Sequence, residues 1–215
     1  CLNRRTRAVK NFSTYPLRFV LPQKITSNQR DACDCAWVYM LGYGGGLVCG
    51  DGVNLRCHLE AGASAALTTL GSTRVYKRKR GRSVGALGGS RQTLHCVVEK
   101  GALVAVLPDP VICFADAEHT QFQEFHLKRG ASLVLCDWLS SGRMERGEVW
   151  SFNRFESRNA LYVDGELVLL DPLLLSDEGA SAIDGQSVRK RMQGFHAIGM
   201  VIVMGPLLGH LRESL

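Results

Sequence analysis

Carboxylates at the ends of short elements are the residues of this sequence best placed to do chemistry. Asp51 closes the glycine-packed segment GYGGGLVCGD (42–51), Asp109 lies in LPDP, Asp116 in FADA, Glu145 and Glu148 in GRMERGE, and Asp171 in LLDP. A run of hydroxyls, Thr68, Thr69, Ser72 and Thr73, occupies the segment LTTLGSTR. Aspartate next to proline or glycine favours turns for purely local reasons. The same groups on a shared surface or channel would supply weak oxygen ligands to a divalent ion. Composition alone leaves both readings open.

Other chemistries fare worse. The glycines invite a phosphate cradle, but no Gly-Lys-Ser/Thr follows, and the Gly42-Tyr43-Gly44 opening runs to Leu47 where a dinucleotide fingerprint needs glycine. Eight cysteines are scattered, with no CxxC and no HxxxH pair, so a closed structural zinc site is not expected. Cys57 and His58 are adjacent, but in an alternating strand they point to opposite faces. No GxSxG elbow marks a serine nucleophile. A cysteine hydrolase would need one thiol of raised reactivity, which spacing does not single out.

These residues need positioning, and the patterns around them are those of strands. Val53, Leu55, Cys57 and Leu59 alternate with Asn54, Arg56, His58 and Glu60, a period of two with one buried face. Ala36–Leu41 is an apolar run of strand length, and Tyr15–Pro22 an extended segment closed by prolines. Three turns share one device, a charged residue or pair leading to Gly-Ala, at Gly62, Gly101 and Gly130. Each reads as a strand, a tight turn and a returning strand, which would pair Leu94–Val98 with Leu103–Leu107 and Phe125–Leu127 with Leu133–Trp138. Asp164-Gly165 is a fourth turn and a strong hairpin signal. The expected fold is all-β: successive hairpins coiled into a β-helix-like stack, with one or two short helices near the C-terminus. Val188–Gln193 and the stretch after Pro206 are the helix candidates.

Bulk numbers bound the class. The 215 residues are 46% hydrophobic and 21% charged, ordinary for a globular chain able to bury a core. The net charge of +6 equals the six basic residues of RVYKRKRGR (74–82), so one local patch carries the whole imbalance. No apolar run reaches the roughly 18 residues of a membrane span, and the expectation is no membrane partner. With no signal-peptide pattern, the cysteines read as reduced and the location as cytoplasmic. The chain opens on Cys1 and stops as a helix is starting, so a single domain over 1–215 that is a fragment of a longer protein is expected.

Five segments in one order resemble the urease accessory protein D family, UreD or UreH: GGGLVCGD (44–51), ALTTLGSTRVY (66–76), LPDPVICFADA (107–117), GRMERGEVW (142–150) and DGELVLLDPL (164–173). The resemblance spans about residues 17–208. It implies a protein that is not an enzyme but a maturation scaffold, docking apo-urease with the accessory proteins UreF and UreG, a GTPase. It implies a mainly β fold, no tightly bound cofactor, and nickel as transient cargo moving through an internal water-filled tunnel to the urease active site. By motif position, Asp51, Thr68, Thr69, Ser72, Thr73, Asp109, Asp116 and Glu148 are the expected tunnel residues. Arg74, Lys77 and Arg78 are expected at a partner-docking surface. The segment KRKRGR is an extension of the family pattern, and the family runs on after the Gly205-Pro206 step. A different class of reading gives the basic 74–82 loop to RNA or an acidic protein; the family resemblance implies no nucleic acid.

Overall fold

The computed structural model describes residues 6–22, 34–77, 89–177 and 186–212. Arg78 and most of the basic extension lie outside the described residues. Thirteen strands and a few short helical turns make up the described chain, so the all-β expectation holds. Two sheets carry the strands. The larger contains β1 (Leu17–Val20), β2 (Ala36–Gly42), β4 (Ser64–Thr69), β5 (Thr73–Val75), β7 (Leu103–Leu107), β8 (Val111–Cys113), β10 (Ser132–Ser140) and β13 (Ala197–Met204). The smaller has the order β12 (Glu166–Ser176), β11 (Arg154–Val163), β9 (Glu118–Leu127), β6 (Ser90–Val98) and β3 (Gly52–Leu59).

The three Gly-Ala turns do not close hairpins, and here the sequence reading is corrected. Leu94–Val98 does not pair with Leu103–Leu107, nor Phe125–Leu127 with Leu133–Trp138. At each turn the chain leaves the smaller sheet and enters the larger. β3, β6, β9 and β11 then pair in parallel with one another, and so do β4, β7 and β10. The turns themselves are closed locally, by Ala63, Ala102 and Ala131 donating to the carbonyls of Glu60, Glu99 and Lys128. Their glycines hold φ values of 73°, 72° and 88°, which side-chain-bearing residues resist. The strands leaving them begin with near-continuous small and apolar runs, SAAL and ALVAV, a composition more usual in parallel strands than in hairpin arms.

Asp164-Gly165 is a true hairpin turn. Both residues have positive φ, and β11 pairs antiparallel with β12 across it. The two C-terminal helix candidates also form: α1 at Val188–Arg191, capped by the Ser187 hydroxyl, and α2 at Gly209–Arg212 behind a 3-10 turn that starts at Pro206. No described helix is long and apolar enough to cross a membrane.

Alternation decides what each sheet buries. In β9 the inward set is His119, Gln121, Gln123, Phe125 and Leu127. The interior therefore divides. One apolar cluster gathers Leu55, Leu94, Val104, Phe125, Leu133, Leu135 and Leu161 near the Gly-Ala turns. A second gathers Val75, Val111, Leu139, Trp150, Phe152 and Phe155 at the far end. Between them, the same strands carry polar residues.

Candidate functional site

Among the described residues, polar groups gather in a cavity behind the glycine segment and in the belt between the two apolar clusters, among other places. The cavity, about 300 Å³, opens where β1, β2, β4 and β5 meet the edge of the smaller sheet. Gly42, Gly45, Gly46, Thr69, Ser72, Thr73 and Arg74 are on its wall, with Leu47, Val53 and Leu55 behind. Gly46 sets its shape. A Cβ there would collide with the Arg74 carbonyl and come within 2.7 Å of the Tyr76 ring, so only glycine lets this segment pass β5 so closely. Leu47 N–H donates to the Arg74 carbonyl at 2.7 Å and Tyr76 N–H to that of Leu47 at 2.9 Å.

The expected site residues separate into groups. Thr69, Ser72, Thr73 and the docking candidate Arg74 share the cavity wall. Asp109 stands behind it as a brace: its Oδ2 accepts from the Thr69 hydroxyl (3.1 Å) and Gly71 N–H (2.9 Å), while its own N–H donates to Thr69 Oγ1 (2.8 Å). The Thr68 hydroxyl donates to the Leu107 carbonyl at 2.8 Å. Asp51 accepts from Val48 N–H at 2.9 Å and so closes its own turn. Asp116 is exposed on a turn at φ 61°. Lys77 is exposed.

Glu148 belongs to a different cluster. Its carboxylate takes a bidentate contact from Arg143, with Nε at 2.8 Å, and one from Ala115 N–H at 3.2 Å. The Arg143 hydrogen bond holds Glu148 below the usual carboxylate range. Arg143 also stacks 3.9 Å over Phe114, whose ring meets Tyr76 edge-on at 5.1 Å. Glu148 is thus tied through aromatic contacts to the strand that follows the hydroxyl turn.

The belt is what the sequence reading missed as a unit. Asp137 on β10 accepts from Gln121 Nε2 (2.8 Å), Ser157 Oγ (3.0 Å) and Asn159 Nδ2 (2.9 Å). Asn159 also reaches Asp171 at 3.4 Å. Gln121, Ser157 and Asn159 are buried. At its edge, His119 Nδ1 lies 2.9 Å from Ser90 Oγ. His119 Nε2 and Asn159 Oδ1 are buried and meet no hydrogen-bond partner among the described residues, unusual for interior polar atoms and typical of a place that takes water. Burial pushes the His119 imidazole down to about 4, against the pull of its Ser90 backbone hydrogen bond. Counting alternately back from Phe125 and Leu127 would have put His119, Gln121 and Gln123 inside.

A profile described as UreD urease accessory protein matches residues 1–215. The chain belongs to the UreD family. Urease accessory protein D of Arabidopsis thaliana is 38% identical over 213 residues, covering 98% of this chain and 67% of the relative. Urease accessory protein D of Oryza sativa subsp. indica is 35% identical over 211 residues, covering 98% and 64%. Urease accessory protein UreD of Sorangium cellulosum (strain So ce56) is 38% identical over 211 residues, covering 98% and 61%. This UreD chain thus spans about two thirds of the length of these relatives. As the family's proteins are urease accessory proteins, the resemblance drawn from the five segments holds.

Proposed function

We propose that this chain is a cytoplasmic urease-maturation scaffold that holds apo-urease together with UreF and UreG and assists the insertion of nickel into the urease active site. It makes and breaks no bond of its own; nickel is cargo. The reading is carried by the UreD match over residues 1–215. The interior chemistry is compatible with it. A relay must release its ion, and hydroxyl, carboxamide and carboxylate oxygens hold late divalent metals less firmly than a thiolate cage.

On this reading Thr69, Ser72 and Thr73 line one mouth of the route, with Asp109 bracing it. The belt of Gln121, Asp137, Ser157, Asn159 and Asp171 offers water-compatible oxygens further in. Asp51, Thr68, Asp116 and Glu148 act on the route by fixing the segments that border it. Arg74 and Lys77 face partners.

The test is capture of purified apo-urease and UreF by the tagged chain, followed by urease activation with nickel, bicarbonate, GTP and UreG. Capture and activation are expected. Failure to retain either protein ends the scaffold reading for this chain.

A further inference from the structure

A third cluster lies on the outer face of the smaller sheet, apart from the cavity and the belt. Parallel register sets His95 of β6 beside Glu124 of β9, and Val97 beside His126. Glu124 and His126 are two residues apart, so both project from the same face as His95. The side-chain donor atoms of His95, Glu124 and His126 all lie within 4.8 Å of one another. His126 Nε2 is 4.0 Å from the Glu124 carboxylate, and the two imidazole centroids are 4.7 Å apart. His95 is exposed and the other two are half-buried, so the group is open to solvent.

We propose that His95, Glu124 and His126 form a surface binding site for a late first-row divalent cation, nickel or zinc, with water in the remaining positions. Two imidazoles and one carboxylate are the donor set such ions prefer over calcium or magnesium. Donors about 2.1 Å from a metal stand roughly 3 Å apart. The three groups therefore close by less than about 2 Å, a distance that side-chain rotations cover on strands whose backbone spacing is already fixed. Tyr162, in register with His126 on β11, stacks on that ring at 4.6 Å with an interplanar angle of 1°. This contact restrains the ring much as an outer-shell partner orients a ligating histidine.

The neighbours sharpen the set. Arg56 of β3 flanks His95 on the side away from Glu124, so Glu124 is the carboxylate that offsets the charge of the ion. His58, on the same face, sits 3.4 Å from Glu99 and is not one of the three. The inference stands apart from the scaffold reading, because a chain that captures neither urease nor UreF would still bind the ion.

The test is equilibrium dialysis of the whole chain against Ni²⁺ alone and Zn²⁺ alone, comparing wild type with H95N, H126N and E124Q. All three substitutions are on an outer face, and metal-free thermal melts confirm that each variant folds; if one does not, the other two carry the comparison. The wild type is expected to hold one equivalent that each histidine variant binds at least about tenfold more weakly, since loss of an outer-shell partner alone costs that much. A Co²⁺-loaded wild type should lack the intense near-ultraviolet thiolate band, which separates this site from the free cysteines. Equal binding by wild type and both histidine variants would overturn the proposal, as would a thiolate band of the same strength in all of them.

Discussion

Acidification should weaken this fold through His119, and the size of the effect follows from where the ring sits. The side chain is 2% exposed and tilted against Phe155 at 6.0 Å. Its native value of about 4 lies below the ordinary 6.5 that the unfolded chain shows. A depressed native value means that the unfolded chain binds the proton first. The contribution is therefore complete above about 6.5 and is lost as pH falls toward 4. The whole difference corresponds to about 3 kcal/mol, and about 2.5 kcal/mol of it is lost between about pH 7.5 and pH 4.5. The variant H119N keeps an amide near the position of Nδ1, and so a partner for Ser90, but cannot titrate. Urea unfolding followed by tryptophan fluorescence, at both pH values, gives the comparison. Wild type should lose about 2.5 kcal/mol more than H119N on acidification, whatever offset the substitution causes at neutral pH. Parallel losses in the two proteins would refute the burial argument.

Other outcomes follow from the same contacts. Gly46→Ala should cost about 2–3 kcal/mol, because a Cβ there meets backbone rather than a movable side-chain end, while Gly52→Ala, with open space around its Cβ, should stay within about 0.5 kcal/mol; chemical denaturation reads both. Asp109→Ala removes the acceptor for Thr69 and Gly71 and should cost about 1–3 kcal/mol, with faster hydrogen exchange at the Gly71 amide. Leu135→Ala empties a fully buried position of the first cluster and should cost about 3–4 kcal/mol by thermal or urea unfolding. Burial raises the Cys113 thiol above its ordinary range, so maleimide labelling of native protein near neutral pH should leave Cys113 unmodified, and mass spectrometry would find it labelled only after denaturation.

The strands were legible in the sequence and their partners were not. Alternation over 53–59 gave β3 with its correct inward set, and Asp164-Gly165 gave the one hairpin whose turn chemistry is local. Gly62, Gly101 and Gly130 announce tight turns with equal clarity. A turn residue, though, reports only its own φ and not which sheet receives the next strand. That choice depends on which strands flank β4 and β7 in the folded sheet, a tertiary matter visible only weakly in runs such as ALVAV. The site divides similarly. Thr69, Ser72 and Thr73 fall within one short segment of the sequence, and Asp109, 40 residues from Thr69, meets them at one corner of the larger sheet; each lies in a segment that stands out by its residue types. Asp137, with partners 16–22 residues away in the chain, had no motif. His95 and Glu124 became neighbours only through parallel register.

Parallel pairing also sets a clock on how this protein can be made. Partners in the smaller sheet are roughly 30–40 residues apart in the chain, from Leu55 with Leu94 to Phe125 with Leu161. At the usual 5–20 residues per second of synthesis, a finished strand waits about 2–8 s for its neighbour to be made. During that wait β3, then β6, then β9 each present an unpaired edge beside a half-built core. Only β11 and β12 can zip at once, through their two-residue turn. The nascent chain must therefore pass through a series of open-edged intermediates, and its yield in a cell should depend on translation speed and on chaperones that shield edges more than on its final stability.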